Sequence, residues 1–160
     1  MIRKFEPSDI EQVMRIWLDG NREAHGFIPR EYWEGNLPFV REALLRAEVY
    51  VFVTGGAVRG FAGLQGDYLA GIFVESGFRS MGAGRRLLEH VKGLHAALSL
   101  HVYQKNSRAA AFYRREGFSA ASVAVDRETG EADAAMVWSR AGKPQSTEGK
   151  EGDIWRSTSL

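Results

Sequence analysis

Two periods of apolar spacing alternate along the chain. Ile10, Val13, Met14, Trp17 and Leu18 recur at the three- and four-residue intervals of a helix with one buried face. Ser8 and Glu11 ahead of them have the spacing of a capping box, and Gly20-Asn21 predicts a loosening of that helix. Residues 22–36, rich in aromatic, histidine and proline side chains, fit neither period. A further helix is predicted over 37–47, with Asn36 as its cap and Pro38 in its first turn. The spacing then changes. Residues 49–54 form a continuous β-branched and aromatic run, the signature of a central strand. Gly55-Gly56 predicts a hairpin turn, and 58–65 and 68–74 follow as strands. Residues 84–94 return to the helical period through Leu87, Leu88, Val91 and Leu94, and 97–103 is a strand with Leu98, Leu100 and Val102 on one face. A first strand over 2–5 and a final antiparallel pair, 118–125 with 134–139, complete the pattern. Beyond it the chain turns to Gly, Lys, Pro, Ser, Thr and Glu without periodicity. This predicts one domain over residues 1–140 and a polar, mobile tail over 141–160, with Trp155 as its only large apolar anchor.

Composition narrows the function by exclusion. With 21 basic and 20 acidic residues the net charge is +1, which supports neither a nucleic-acid partner nor a membrane-surface role. The chain has no cysteine, which removes disulfides, thiol nucleophiles and cysteine metal sites. Its four histidines lack convincing ligand spacing, so no metal is expected. The N-terminus has no signal-type apolar core and no apolar run approaches the ~20 residues of a membrane span, so a cytoplasmic protein is expected.

The chemistry concentrates in two segments. In Phe73-Val74-Glu75-Ser76-Gly77-Phe78-Arg79-Ser80-Met81-Gly82-Ala83-Gly84, a strand feeds a glycine turn into a helix N-terminus. Backbone N–H groups point outward there and the helix dipole adds roughly half a positive charge, so the turn suits a phosphorylated ligand. It is neither a P-loop nor a good dinucleotide fingerprint, because no Gly-Lys-Ser/Thr follows and the glycine spacing differs. Arg85 and Arg86 sit in the first helical turn, an unfavourable place for cations unless an anion is near. The second segment, Leu100 to Phe118, reads as strand, loop, helix and glycine stop. Asn106 or Ser107 caps the helix, and Gly117 occupies the left-handed position that ends it.

These two segments resemble the GNAT superfamily of acyl-CoA-dependent N-acetyltransferases. Arg79-Ser80-Met81-Gly82-Ala83-Gly84 fits that family's pyrophosphate turn, Arg/Gln-x-x-Gly-x-Gly/Ala. Asn106, Ala109, Phe112, Tyr113, Gly117 and Phe118 fit its Asn-x-x-Ala-x-x-Phe-Tyr-x-x-x-Gly-Phe pattern. Ser76 and Ser80 depart from the proline and glycine that many members carry at those positions.

The resemblance implies an α/β (α+β) fold: a mixed, mostly antiparallel sheet with helices on both faces and a splayed parallel strand pair. It implies acetyl-CoA as co-substrate and direct transfer to a primary amine in a ternary complex. That amine belongs to a small molecule, an amino acid, a peptide N-terminus or a lysine. The alternative is a non-catalytic acyl-CoA sensor or interaction module on the same scaffold. Dimerisation is common in the family, and no segment here announces an interface.

By the same resemblance, backbone groups of Ile72, Phe73 and Val74 bind the pantetheine arm, and a strand N–H near Phe73 faces the thioester oxygen. Arg79, Ser80, Met81, Gly82, Ala83, Gly84 and Arg85 bind the phosphates, and Asn106, Ala109 and Phe112 complete the cofactor site. Tyr113 is the expected general acid, since a phenol of pKa near ~10 is protonated at neutral pH. His25 is the leading general base, with Glu23 and His101 as other candidates, because an imidazole titrates near ~6.5. Glu23, Phe27, Tyr32 and Trp33 are expected to line the acceptor pocket, with Trp17 as a further aromatic candidate.

Overall fold

A computed structural model describes residues 1–142 of the chain; the expected tail from 143 on, including Trp155, lies outside the described residues. The chain runs β1 (Ile2–Lys4), α1 (Ile10–Ala24), α2 (Arg30–Gly35), α3 (Leu37–Arg46), β2 (Glu48–Thr54), β3 (Ala57–Gln65) and β4 (Tyr68–Val74). It continues through α4 (Ala83–Leu94), β5 (Ala97–Tyr103), α5 (Ser107–Arg115), β6 (Ser119–Val125) and β7 (Ala132–Ser139). The seven strands form one sheet in the order β1-β2-β3-β4-β5-β7-β6, antiparallel except for β4 and β5.

Helices cover both faces, as expected. On one face Leu87, Leu88 and Val91 of α4 and Ala109 and Tyr113 of α5 pack on Leu69, Ile72, Leu100 and Val102. On the other, Val13 and Trp17 of α1, Trp33 of α2 and Leu44 of α3 pack on Val51, Phe61 and Phe73. Phe61 and Phe73 are fully buried and stacked with ring centroids 5.1 Å apart. Burial of a phenylalanine contributes roughly 1.5–3 kcal/mol. Every residue of β4 is buried, which explains its unbroken apolar run.

The parallel pair is barely a pair. Tyr68 and Ser99 are the register partners between β4 and β5, joined by the Ser99 N–H to the Asp67 carbonyl at 3.0 Å. β5 is instead paired along its length with β7, from Ala97↔Ser139 to Tyr103↔Asp133. From Leu69 to Val74, β4 therefore turns an edge toward an opening gap.

Several local expectations change. The capping box sits earlier than predicted: the Asp9 carboxylate, in a 3-10 turn at Pro7–Asp9, accepts from the Glu6 N–H at 2.8 Å and is clamped by Arg3. Helix α1 runs through Gly20-Asn21 rather than loosening, because Asn21 is buried and donates its side-chain amide to the Trp17 carbonyl at 2.9 Å. Asn36 does precede α3, but its side-chain amide donates back to the Tyr32 carbonyl instead of capping. Gly55 and Gly56 take φ of 61° and 75°, the hairpin geometry their sequence predicts.

Candidate functional site

Three elements converge at the mouth of the β4–β5 gap: the turn after β4, the start of α4 and the first half of α5. The turn is a 3-10 segment, Ser76–Met81, ended by Gly82 at φ 73°, a conformation that favours glycine. Arg86 makes the first backbone bond of α4, to the Gly82 carbonyl at 3.0 Å. The N–H groups of the residues before it precede the helical ladder and are available to an anion.

In front of them lies a cleft of about 500 Å³ walled by Arg79, Ser80, Gly82, Gly84 and Arg85 on one side. Arg108, Ala111, Phe112 and Arg115 of α5 form the other. Four arginines against one carboxylate, Glu116, which pairs with Arg85 at 3.5 Å, leave the cleft net positive. A polyanion such as a pyrophosphate fits this donor set, since guanidinium forks and free helix N–H groups are both phosphate ligands.

Of the expected phosphate ligands, Arg79, Ser80, Gly82, Gly84 and Arg85 line this cleft. Ala83 and Ala109 are fully buried in the apolar layer, and Met81 is exposed. Ile72, Phe73 and Val74 are buried too, so the strand offers backbone rather than side chains to the gap. The Arg79 Nε donates to the Val74 carbonyl at 3.0 Å, and its Nη1 pairs with Glu23 at 2.9 Å. Sequence reasoning missed Arg108, Ala111 and Arg115. Their seven-residue span on one stripe of α5, with Phe112 between, was the available signal.

Helix α5 has the ends its sequence predicts. Asn106 Oδ1 accepts from the Ala109 N–H at 3.3 Å. At the other end Gly117 sits at φ 97°, with Phe118 N–H to the Tyr113 carbonyl at 2.9 Å and Gly117 N–H to the Arg114 carbonyl at 3.1 Å. That pair of bonds is a Schellman closure. Tyr113 is fully buried, its ring edge-on to Phe112 at 5.1 Å and Phe118 at 5.4 Å.

On the opposite face of the sheet, α1, α2 and the β6–β7 turn build a second, aromatic wall. Phe27 and Tyr103 meet edge-on at 5.8 Å, and Trp33 packs on the fully buried Trp17 at 5.8 Å. The Tyr32 hydroxyl donates to Glu128 at 2.7 Å, tying α2 to the β6–β7 turn. The Tyr103 hydroxyl donates to the buried Asp126 at 2.8 Å, and burial and that carboxylate push its phenol well above the usual range. Lys105 pairs with Glu131 and lies 5.4 Å over the Phe27 ring. Glu23, Arg79, Lys105, Asn106 and Arg108 enclose a smaller recess of about 220 Å³, which shares Arg79 and Arg108 with the arginine cleft.

His25 departs from the expectation of a base. It is wholly buried, with Nδ1 3.0 Å from Asn21 Oδ1 and Nε2 3.1 Å from Asn106 Nδ2. Burial pushes its pKa down to about 3. A neutral imidazole with both nitrogens engaged has no lone pair to offer an acceptor amine. His101, the alternative, shares a 3.0 Å hydrogen bond with the Tyr68 hydroxyl beside the single β4–β5 bridge.

The model of the acetyltransferase (GNAT) domain matches residues 46–120, from β2 through the Schellman closure of α5. The chain is 35% identical over 131 residues to the peptidyl-lysine N-acetyltransferase YiaC of Escherichia coli K12, covering 81% of this chain and 90% of that one. It is 30% identical over 118 residues to E. coli YjaB, covering 73% and 80%. The solution structure of apo YjaB superposes with a TM-score of 0.76 over 86% of this chain and 95% of that one, at 26% identity. An acetyltransferase of Bacillus anthracis, solved in complex with acetyl coenzyme A, shares the fold at 20% identity over 58% of this chain and 62% of that one, with a TM-score of 0.53. The chain belongs to the GNAT family and is an acetyl-CoA-dependent N-acetyltransferase.

Proposed function

We propose that the acceptor is the ε-amine of a protein lysine. The observation that carries this is the change of lining across the site. The donor cleft has four arginines against one carboxylate, Glu116, whereas the α1–α2 side sets the carboxylates of Glu23, Glu128 and Glu131 beside aromatic rings, with Arg22, Arg30 and Lys105 among them. An ammonium on a long apolar stem matches that second lining, because carboxylates attract its charge and rings accept both charge and methylenes. The likeness to YiaC, a peptidyl-lysine N-acetyltransferase, supports the same acceptor. A cytoplasmic setting, where acetyl-CoA is made, goes with this reading.

Acetyl-CoA supplies the activated acetyl thioester. In this reading the chain's own residues do the rest. Arg85, Arg108, Arg115 and the first N–H groups of α4 hold the phosphates. The unpaired edge of β4 holds the arm in the gap. Tyr113, on α5, keeps a proton for the departing sulfur, and a phenol is the right acid for it because it stays protonated at neutral pH. Water carries the proton from the acceptor amine, since His25 is occupied.

The test is to offer acetyl-CoA with three acceptors: a lysine peptide with a blocked N-terminus, a lysine-free peptide with a free one, and a polyamine. Mass spectrometry then locates the acetyl group. Transfer to the blocked lysine peptide alone is expected; transfer only to the free N-terminus or to the polyamine overturns the lysine assignment.

A further inference from the structure

A line of buried hydrogen bonds joins two helices 81 residues apart in sequence. Asn21 Nδ2 donates to the Trp17 carbonyl at 2.9 Å, which points its Oδ1 at His25 Nδ1, 3.0 Å away. An amide oxygen only accepts, so Nδ1 carries the imidazole proton and Nε2 is the acceptor. Asn106 Nδ2 donates to that Nε2 at 3.1 Å, and Asn106 Oδ1 takes the Ala109 N–H. The line has one polarity from end to end. It is sealed by the rings of Phe27, Trp33 and Tyr103, each within 5.6 Å of His25 centroid to centroid.

This polarity has a consequence for Asn106. With its amide reversed, Oδ1 would face the lone pair of Nε2 and Nδ2 would face the Ala109 N–H: acceptor against acceptor, donor against donor. His25 therefore blocks the flip that would uncap α5. A protonated His25 would invite it, and burial keeps the ring neutral, with its pKa at about 3. The helix so capped carries Arg108, Phe112 and Arg115 into the wall of the arginine cleft.

We propose that His25 is a positioning residue: through Asn106 it fixes the start of α5 and with it one wall of the acetyl-CoA cleft. This rests on reading that cleft as the acetyl-CoA site, independently of which amine is the acceptor.

Calorimetric titration of the full chain with acetyl-CoA, alongside thermal melts and transfer rates, tests it on wild type, His25→Leu and His25→Gln. A glutamine amide offers the same donor and acceptor order as the neutral imidazole. The expected result is a Kd for acetyl-CoA weakened about tenfold in His25→Leu, the scale of one hydrogen bond lost. His25→Gln restores most of that affinity. Should His25→Leu fail to fold, His25→Asn, whose shorter side chain falls away from Asn106, takes its place with the same expectation. Both variants binding acetyl-CoA as wild type does while losing transfer would make His25 a base and overturn the proposal. A lowered melting temperature with unchanged Kd would reduce it to a stability role, and equal loss in both variants would remove the polarity argument; either overturns it. Wild-type protein that does not bind acetyl-CoA would instead fail the cleft reading itself.

Discussion

Arg79 Nη1 lies 2.9 Å from Glu23 Oε2, so the arginine that opens the glycine turn is tied to the last turn of α1, which packs on the other face of the sheet from α4. The same guanidinium holds the Val74 carbonyl through Nε. Arg79 is thus divided between the end of β4 and the acceptor side, and only part of its fork faces the cleft.

Glu23 is half-exposed, so its ion pair is worth less than about 1 kcal/mol of stability. Glu23→Ala is expected to leave the melting temperature nearly unchanged and acetyl-CoA affinity equal or higher, since a competing carboxylate is gone. Arg79→Ala loses both bonds and a cleft cation, and should weaken acetyl-CoA binding about tenfold. Calorimetry on the two variants checks this pair of opposite effects.

Tyr113→Phe keeps the packing against Phe112 and Phe118 and removes only the hydroxyl. If the phenol is the acid, kcat falls by about a hundredfold or more, while the Kd for acetyl-CoA and the melting temperature stay close to wild type. An unchanged kcat across several acceptors would remove Tyr113 from the chemistry.

Gly71 is required by a ring rather than by its backbone angle. A Cβ there would lie 2.3 Å from Phe73 Cε2, and that ring is held in its stack with Phe61. Gly71→Ala should destabilise by about 1–3 kcal/mol. Gly77→Ala, with nothing within 4 Å of the added carbon, should not. Urea denaturation of both variants separates the two cases.

His95, at the end of α4, bridges two carboxylates: Asp67 Oδ1 at 2.9 Å and Glu48 Oε2 at 3.0 Å. Burial alone would lower its pKa, but the hydrogen bonds and charges of Asp67 and Glu48 together raise it above 6.5. Glu48 shows the converse: burial opposes ionisation, yet bonds from Tyr50 and His95 and the charges of His95 and Lys4 hold its carboxyl below 4.5. A raised folded pKa gives stability that is complete below the unfolded value and lost as pH rises through the folded one. A lowered one gives stability lost as pH falls. The melting-temperature gap between wild type and His95→Gln should therefore be widest between about pH 5 and 6 and narrow as pH rises through the His95 pKa.

The strands, the glycine turn after β4 and both ends of α5 were legible because each is written locally. Gly55-Gly56 and Gly117 occupy the positive φ that their sequence context demands. Helix α2 was not legible. It is six residues long, too short for a period, and is held by Trp33 packing on Trp17 and by the Tyr32 bond to Glu128, both of them tertiary contacts. The role of His25 was hidden for the same reason. Its partner Asn106 is 81 residues away, and burial rather than residue type decides its protonation. Nothing local marks Arg108 and Arg115 until the glycine turn is placed opposite them.

The seam between β4 and β5 also divides the molecule as a folding problem. The β2-β3-β4 meander closes through short turns within residues 48–74, and β5, β6 and β7 close within 97–139. The first block completes its ladders from neighbouring sequence, whereas β5 must reach past α5 and β6 to pair with β7. One bridge and the helices across the seam join them. The boundary between the two blocks coincides with the gap proposed to receive the acetyl-CoA arm, while one apolar layer runs beneath both. The line along which the native sheet is least sewn together is the line along which the proposed arm site runs.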